Sequence, residues 1–173
     1  GAGGNTDNIN FMNDDTLRFI SDFGQLTTTQ VFRDPSAWYH IMYAFDSTQG
    51  TAANRLKLYV NGTQVTSFGT AQYPDENDEV DFNSAIVHDI GRNAPEAGQN
   101  MDGYMADVNF IDGAALTPAS FGETGDYGEW KPIEYSGTYG NNGFYLPFKH
   151  TPEVSSGFSI TNWLGDNNDS SNG

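Results

Sequence analysis

The chain has no cysteine, few basic residues, no long apolar run and no sustained helical period. Without cysteine there are no disulfides, no thiolate metal sites and no cysteine nucleophile. Lysine and arginine number 7 against 23 aspartate and glutamate, a formal charge of −16. A field of that sign repels phosphate backbones and anionic lipid heads, so neither nucleic acid nor a membrane surface is an expected partner. No apolar stretch approaches the roughly 20 residues that span a bilayer, and the opening GAGGNTDN lacks the basic and apolar regions of a signal peptide. The expectation is a water-soluble domain. No G-x-S-x-G elbow, H-E-x-x-H, Walker loop or G-x-G-x-x-G is present.

What is present reads as all-β. Glycine at 20 residues and aromatics at 14% accompany many Asn, Asp, Ser and Thr, a composition of strands joined by turns. The clearest element is LKLYVNGTQVTSF, residues 56–68. Leu56, Leu58 and Val60 alternate with Lys57 and Tyr59, and Asn61-Gly62 is the favoured pair for a type I′ turn because both positions need positive φ. Val60 then faces Thr63 and Leu58 faces Val65, one apolar face inward. Further strand-like runs cover residues 8–12, 16–20, 26–32, 38–45, 63–68, 84–90, 104–111 and 143–148. Turn chemistry separates them at Asn13-Asp14-Asp15, Asp34-Pro35-Ser36, Asp112-Gly113 and Asn141-Asn142-Gly143. In the run over 38–45, Trp38 and His40 share a face, and Trp38 is expected in the core. One short helical turn is signalled by Thr117 as cap and Pro118 at the first position. About nine strands without crossover helices close into an antiparallel two-sheet sandwich or jelly roll. Residues 72–83 and 122–142 read as loops, and residues 164–173 as a linker or frayed tail following one domain over 1–163.

WYHIMYAFD at 38–46, RLKLYVNGTQV at 55–65, HDIGR at 88–92 and DGYMADVNFIDGAALTPASFGE at 102–123 occur in one order. That order resembles the concanavalin A-like lectin/glucanase superfamily, in particular its laminin G-like jelly rolls. FGETGDYGEWKPIEYSGTYGNNGFYLPF, residues 121–148, is similar to the version in structural and appendage proteins of tailed bacteriophages. Such domains begin with further strands carrying a Trp-containing segment upstream of the stretch that starts here at Asn5. The expected fold is therefore a jelly roll missing or borrowing its N-terminal strands, completed by a longer chain or by a neighbouring subunit. The resemblance implies a virion-surface protein, a tail fibre or capsid decoration, with host cell-surface polysaccharide and other virion proteins as partners and with homo-oligomers expected.

A superfamily that includes glucanases requires a test of the carboxylates. Glycoside hydrolysis needs two of them about 5–10 Å apart, set in these enzymes on alternate residues of one strand. Glu76, Asp78, Glu79 and Asp81 come nearest, but they sit beside Pro74 without intervening apolar residues and read as a solvated loop. Asp102, Asp107 and Asp112, five apart, fall on opposite faces and read as turn carboxylates. The expectation is a non-enzyme, with a glucanase-like depolymerase as the alternative. His40, His88 and His150 are read as structural rather than as a zinc site. No cofactor is required. Calcium is allowed by the resemblance, at the loop rim, with Asp46 and Asn93 as candidates.

The constellation with most chemistry is Tyr127, Trp130, Tyr135, Tyr139, Asn141 and Asn142. Sugar rings are recognised by flat aromatic faces and by amides that grip hydroxyls. Tyr127, Trp130, Tyr139, Asn141 and Asn142 are therefore the candidate carbohydrate-binding residues. Packing of the same aromatics over the sandwich, in a purely architectural domain, stays open beside it.

Overall fold

The computed structural model describes residues 7–92 and 100–148; Asn93, His150 and the tail at 164–173 fall outside them. Two sheets form the body. One takes β1 (Asn8–Phe11), β2 (Thr16–Ser21), β3 (Gly24–Val31) and β7 (Phe68–Gln72) in the order β1-β2-β3-β7. The other takes β4 (Ile41–Phe45), β5 (Leu56–Val60) and β6 (Thr63–Gln64) in the order β4-β5-β6. Every pairing between strands is antiparallel. The domain is an all-β sandwich, as the sequence implied.

The alternation in β2 and β5 explains the core. Leu17 and Phe19 of β2, Leu26 of β3, and Leu56, Leu58 and Val60 of β5 are buried. Phe19, Leu26 and Leu56 form one cluster, against which Tyr43, Phe45, Phe68, Tyr73 and Phe82 pack from both layers. The β2–β3 ladder shifts register between Thr16 and Arg18, and β3–β7 shifts between Thr27 and Thr28. Thr28 fills that irregularity: its hydroxyl accepts from the Leu17 N–H at 3.0 Å and donates to the Gln30 carbonyl at 2.7 Å. No buried backbone donor is stranded at Leu17 by the shift. A helical turn, α1 (Ala52–Arg55), aims Arg55 inward, where its guanidinium donates to the carbonyls of Gln49, Gly50 and Pro74. A buried cation thereby ties two loops to the sheet.

The hairpin at 56–68 has the expected turn. Asn61 and Gly62 have φ of 46° and 77°, and Val60 pairs with Thr63. Leu58 and Val60 are buried and Val65 is half-buried, its N–H donating to the Leu58 carbonyl. The run expected over 63–68 is not one strand. β6 ends at Gln64, the chain leaves the second sheet, and β7 begins at Phe68 in the first.

Trp38 corrects a second expectation. The strand begins only at Ile41, and Trp38 is 66% exposed. Trp38 lies before β4 begins, so strand alternation does not carry it into the core; within β4, Tyr43 and Phe45 pair with Leu58 and Leu56 and pack on the core cluster, and Ala44 between them is buried as well. Tyr39 is half-buried, edge-to-face with Phe32, which is in turn edge-to-face with Phe11.

Two further runs are shorter than expected. Residues 84–90 form no strand and leave Ile86, Val87 and Ile90 exposed. Within 104–111 only β8 (Val108–Phe110) is extended, because Asp107 adopts φ of 51°, a left-handed conformation that Asp tolerates and that breaks a strand. β8 pairs with β11 (Phe144–Leu146) as a separate two-stranded ribbon. The expected loop at 122–142 contains a second ribbon, β9 (Gly122–Thr124) with β10 (Trp130–Pro132). The expected turn after Thr117 is a short 3-10 helix, Pro118–Ser120.

Candidate functional site

The β8–β11 ribbon has two unlike faces. Phe144 pairs with Phe110 and Leu146 with Val108, so these four share one side, with the two phenyl rings stacked at 5.5 Å. Asn109 and Tyr145 pair on the other side. There the Tyr145 hydroxyl donates to the Asp107 carboxylate, and the Tyr139 hydroxyl donates to Asn109 Oδ1 at 2.7 Å. The Asn109 amide donates onward to the Asp107 carbonyl at 2.9 Å.

Asp112, just beyond the end of β8, extends this polar surface. Its Oδ1 accepts from the Asn83 amide at 2.8 Å and its Oδ2 from the Asn142 N–H at 3.1 Å. The Asn142 side chain closes the circuit by donating to Asn83 Oδ1 at 3.0 Å. The Asp112 N–H donates to the Tyr139 carbonyl at 2.8 Å. Gly140, with φ of 82°, is required at this point because a Cβ there would meet the Asp112 backbone at 2.2 Å. Three segments distant in sequence, around 83, 107–112 and 139–145, are thus bound into one exposed network.

Electrostatics follow the same geometry. The Tyr145 phenol is pushed up to about 12, first by its bond to Asp107, with the charges of Asp107 and Glu134 adding. Tyr139 is also raised, first by desolvation and then by Tyr135 and Glu134. Both phenols stay protonated near neutrality and act as donors.

Of the five residues named from sequence, Tyr139 and Asn142 lie in this network and Asn141 stands exposed between them. The other two are placed elsewhere. Tyr127 is 96% exposed at the β9–β10 turn. The Trp130 indole is half-buried against the β5–β6 hairpin: an added Cβ would come within 2.2 Å of it at Gly62 and 2.4 Å at Gly122. The His40 ring lies 5.6 Å away on the same outer face, and the Asn61 side chain accepts the His40 N–H at 2.8 Å. Asn83, Asp107, Asn109, Asp112 and Tyr145 were not singled out as sugar contacts. The usable signal was the Asp112-Gly113 turn lying in the same motif run as Asp107.

Metal and catalytic groupings can be placed as well. Among the described residues, no three His, Cys, Asp or Glu side chains gather as metal ligands. Asp46 has both oxygens occupied, Oδ1 by Thr48 and Oδ2 by Gln49, and these bonds hold its carboxyl below the usual range. His88 bonds the Ser84 carbonyl, away from His40. In the acidic loop Asp78 accepts from the Asp75 N–H at 2.7 Å, and Glu76 lies 3.6 Å from Arg55.

The family model for laminin G-type domains of the concanavalin A-like lectin/glucanases superfamily matches residues 1–120. The chain belongs to that superfamily. No curated protein and no solved structure matches it. A laminin G-like sandwich is a fold compatible with carbohydrate binding. The match ends between β8 and β9, so Asn83, Asp107, Asn109 and Asp112 fall inside it, and Tyr139, Asn142 and Tyr145 follow it.

Proposed function

We propose that this laminin G-like domain is a non-enzymatic carbohydrate-binding module of a virion appendage, a tail fibre or capsid decoration, that holds host-surface polysaccharide. The observation that carries the binding role is the exposed network joining Asn83, Asp112, Asn142, Asn109 and Tyr139. Each of the three amides spends one N–H on the network and keeps a second for a ligand, while Asp107 and Asp112 keep lone pairs for sugar hydroxyls. The groups are held before any ligand arrives, which lowers the ordering cost of binding. A cavity of about 400 Å³ opens elsewhere, beside Phe23, Gln25 and Gln72. Single-site affinity is expected to be weak, with repeated copies on a particle raising it by avidity. The virion setting draws on the likeness of residues 121–148 to phage appendage proteins.

The absence of hydrolysis is supported by the carboxylates. Asp78 is engaged with its own loop and Glu76 with Arg55, neither lying on a strand. Purified domain should bind one or more members of a panel of bacterial surface polysaccharides and release no reducing ends. Binding should fall in Asn83→Ala plus Asn142→Ala. Release of reducing ends that disappears in Glu79→Gln would make the domain an enzyme, and undiminished binding in the double variant would remove the network from the site.

An architectural reading has one observation of its own. Among the described residues, β1 is an edge strand of the first sheet, and Ile9 and Phe11 are exposed on its core-facing side, opposite Phe19 and Leu17. It predicts a sedimenting oligomer that binds no glycan.

A further inference from the structure

Resting on the glycan-binding reading above, we infer that the ribbon site takes neutral polysaccharide and rejects chains carrying carboxylate or sulfate. The reason is where the positive charge has gone. The chain holds seven basic residues, of which Lys149 lies outside the described ones. Arg33 is 2.8 Å from Asp15, Arg92 is 2.6 Å from Asp89, and Lys131 is 3.2 Å from Glu129. Arg55 is buried on three carbonyls and faces Glu76. Arg18 bonds the Asn10 side chain, and the charge of Lys57 acts on Asp46. None of these contacts is with the network.

Among the described residues, the charged groups at the network are instead acidic. Asp107 and Asp112 belong to it, and Glu134 acts on both of its phenols. An anionic sugar would bring its charge against these carboxylates with no guanidinium or ammonium among the described residues to meet it, inside the field of a chain with net charge −16. A hydroxyl does the reverse. It donates to a carboxylate lone pair and accepts from an amide N–H, and the network holds both kinds of group side by side.

The test uses polysaccharides that differ only in charge: dextran, carboxymethyl-dextran and dextran sulfate of one chain length, plus any neutral polysaccharide that binds in the panel and its carboxymethyl derivative. Binding is measured at low and at physiological salt. The neutral chain is expected to bind about tenfold tighter than its charged derivative at low salt, with the gap narrowing as salt screens the repulsion. Glu134→Lys, an exposed change, should narrow the gap further, and Asp112→Asn should act in the same direction. Equal or tighter binding of the carboxymethyl or sulfate form at low salt would overturn the charge inference and leave glycan binding standing. No binding by any neutral or charged chain would overturn the glycan-binding reading itself and this inference with it.

Discussion

The sandwich and its two ribbons are built from similar strands yet held in different ways. In β2, β5 and the first half of β3 alternate residues are buried between the sheets, so the hydrophobic effect sets register and position together. Across the β8–β11 ribbon, Val108, Phe110 and Leu146 are only half-buried and Phe144 is exposed; the place of the burial force is taken by named contacts, Tyr145 on Asp107 and Asn142 on Asp112. The β9–β10 ribbon sets its Trp130 indole against Gly62 of the hairpin. A surface arranged by hydrogen bonds between polar groups is also one that a polyhydroxyl ligand can join.

The largest expected difference between the regions is in stability. Leu58→Ala should cost about 2–5 kcal/mol because the side chain is fully enclosed, whereas Phe144→Ala, already 40% exposed, should cost about 1 kcal/mol or less. Urea denaturation of both variants would measure this. Equal losses would mean that the ribbon belongs to the core.

Next in size is the contact between the hairpin and the β9–β10 ribbon. Gly62→Ala places a methyl group within 2.2 Å of Trp130 at a positive φ, and should cost about 1–3 kcal/mol. Part of that cost should vanish in a Trp130→Ala background, leaving the strain of the turn alone. A cost unchanged by Trp130→Ala would show that the indole is not what the methyl group meets.

A change of opposite sign is expected inside the sandwich. The Tyr43 hydroxyl is buried with no hydrogen-bond partner among the described residues, and burial pushes its phenol well above the ordinary range. Tyr43→Phe removes an unsatisfied polar group and should stabilise the fold by about 1 kcal/mol in the same denaturation assay. A loss of stability would reveal a partner for the hydroxyl.

The smallest effect concerns His40, whose ring burial lowers its affinity for protons below the ordinary 6.5. The unfolded chain then binds the proton more readily than the folded one. The stabilising contribution is full above about pH 6.5 and is lost as pH falls from there toward the lower folded value. Trp130 fluorescence should report the protonation, since the two rings adjoin. His40→Gln should abolish that step; its persistence would assign it to another group.

These two regions also differ in how far they could be read from sequence. Strict alternation about Asn61-Gly62 specified strand, turn and inward face, because burial on one side imposes a period of two. The alternation read over 38–45 failed at its start: Trp38 lies before the strand, which begins at Ile41 where pairing with β5 starts, a nonlocal fact. The ribbons have three-residue strands, too short for any period to emerge. Tyr139 and Asn142 could be picked out as chemistry. Their partners Asn83 and Asp112, 59 and 30 residues from Asn142, could not, since only the folded chain brings them into hydrogen-bond reach.

The central claim is that the sandwich is scaffold and the Asn83–Asp112–Asn142 network is where a glycan binds. Amide chemical shifts measured by NMR during titration with a polysaccharide that binds would test it most directly. The account predicts shifts confined to the neighbourhoods of residues 83, 107–112 and 139–145, with Leu26, Leu58 and Tyr127 unmoved. Shifts centred on Trp38, or on the acidic loop from Glu76 to Glu79, with the network silent, would contradict it.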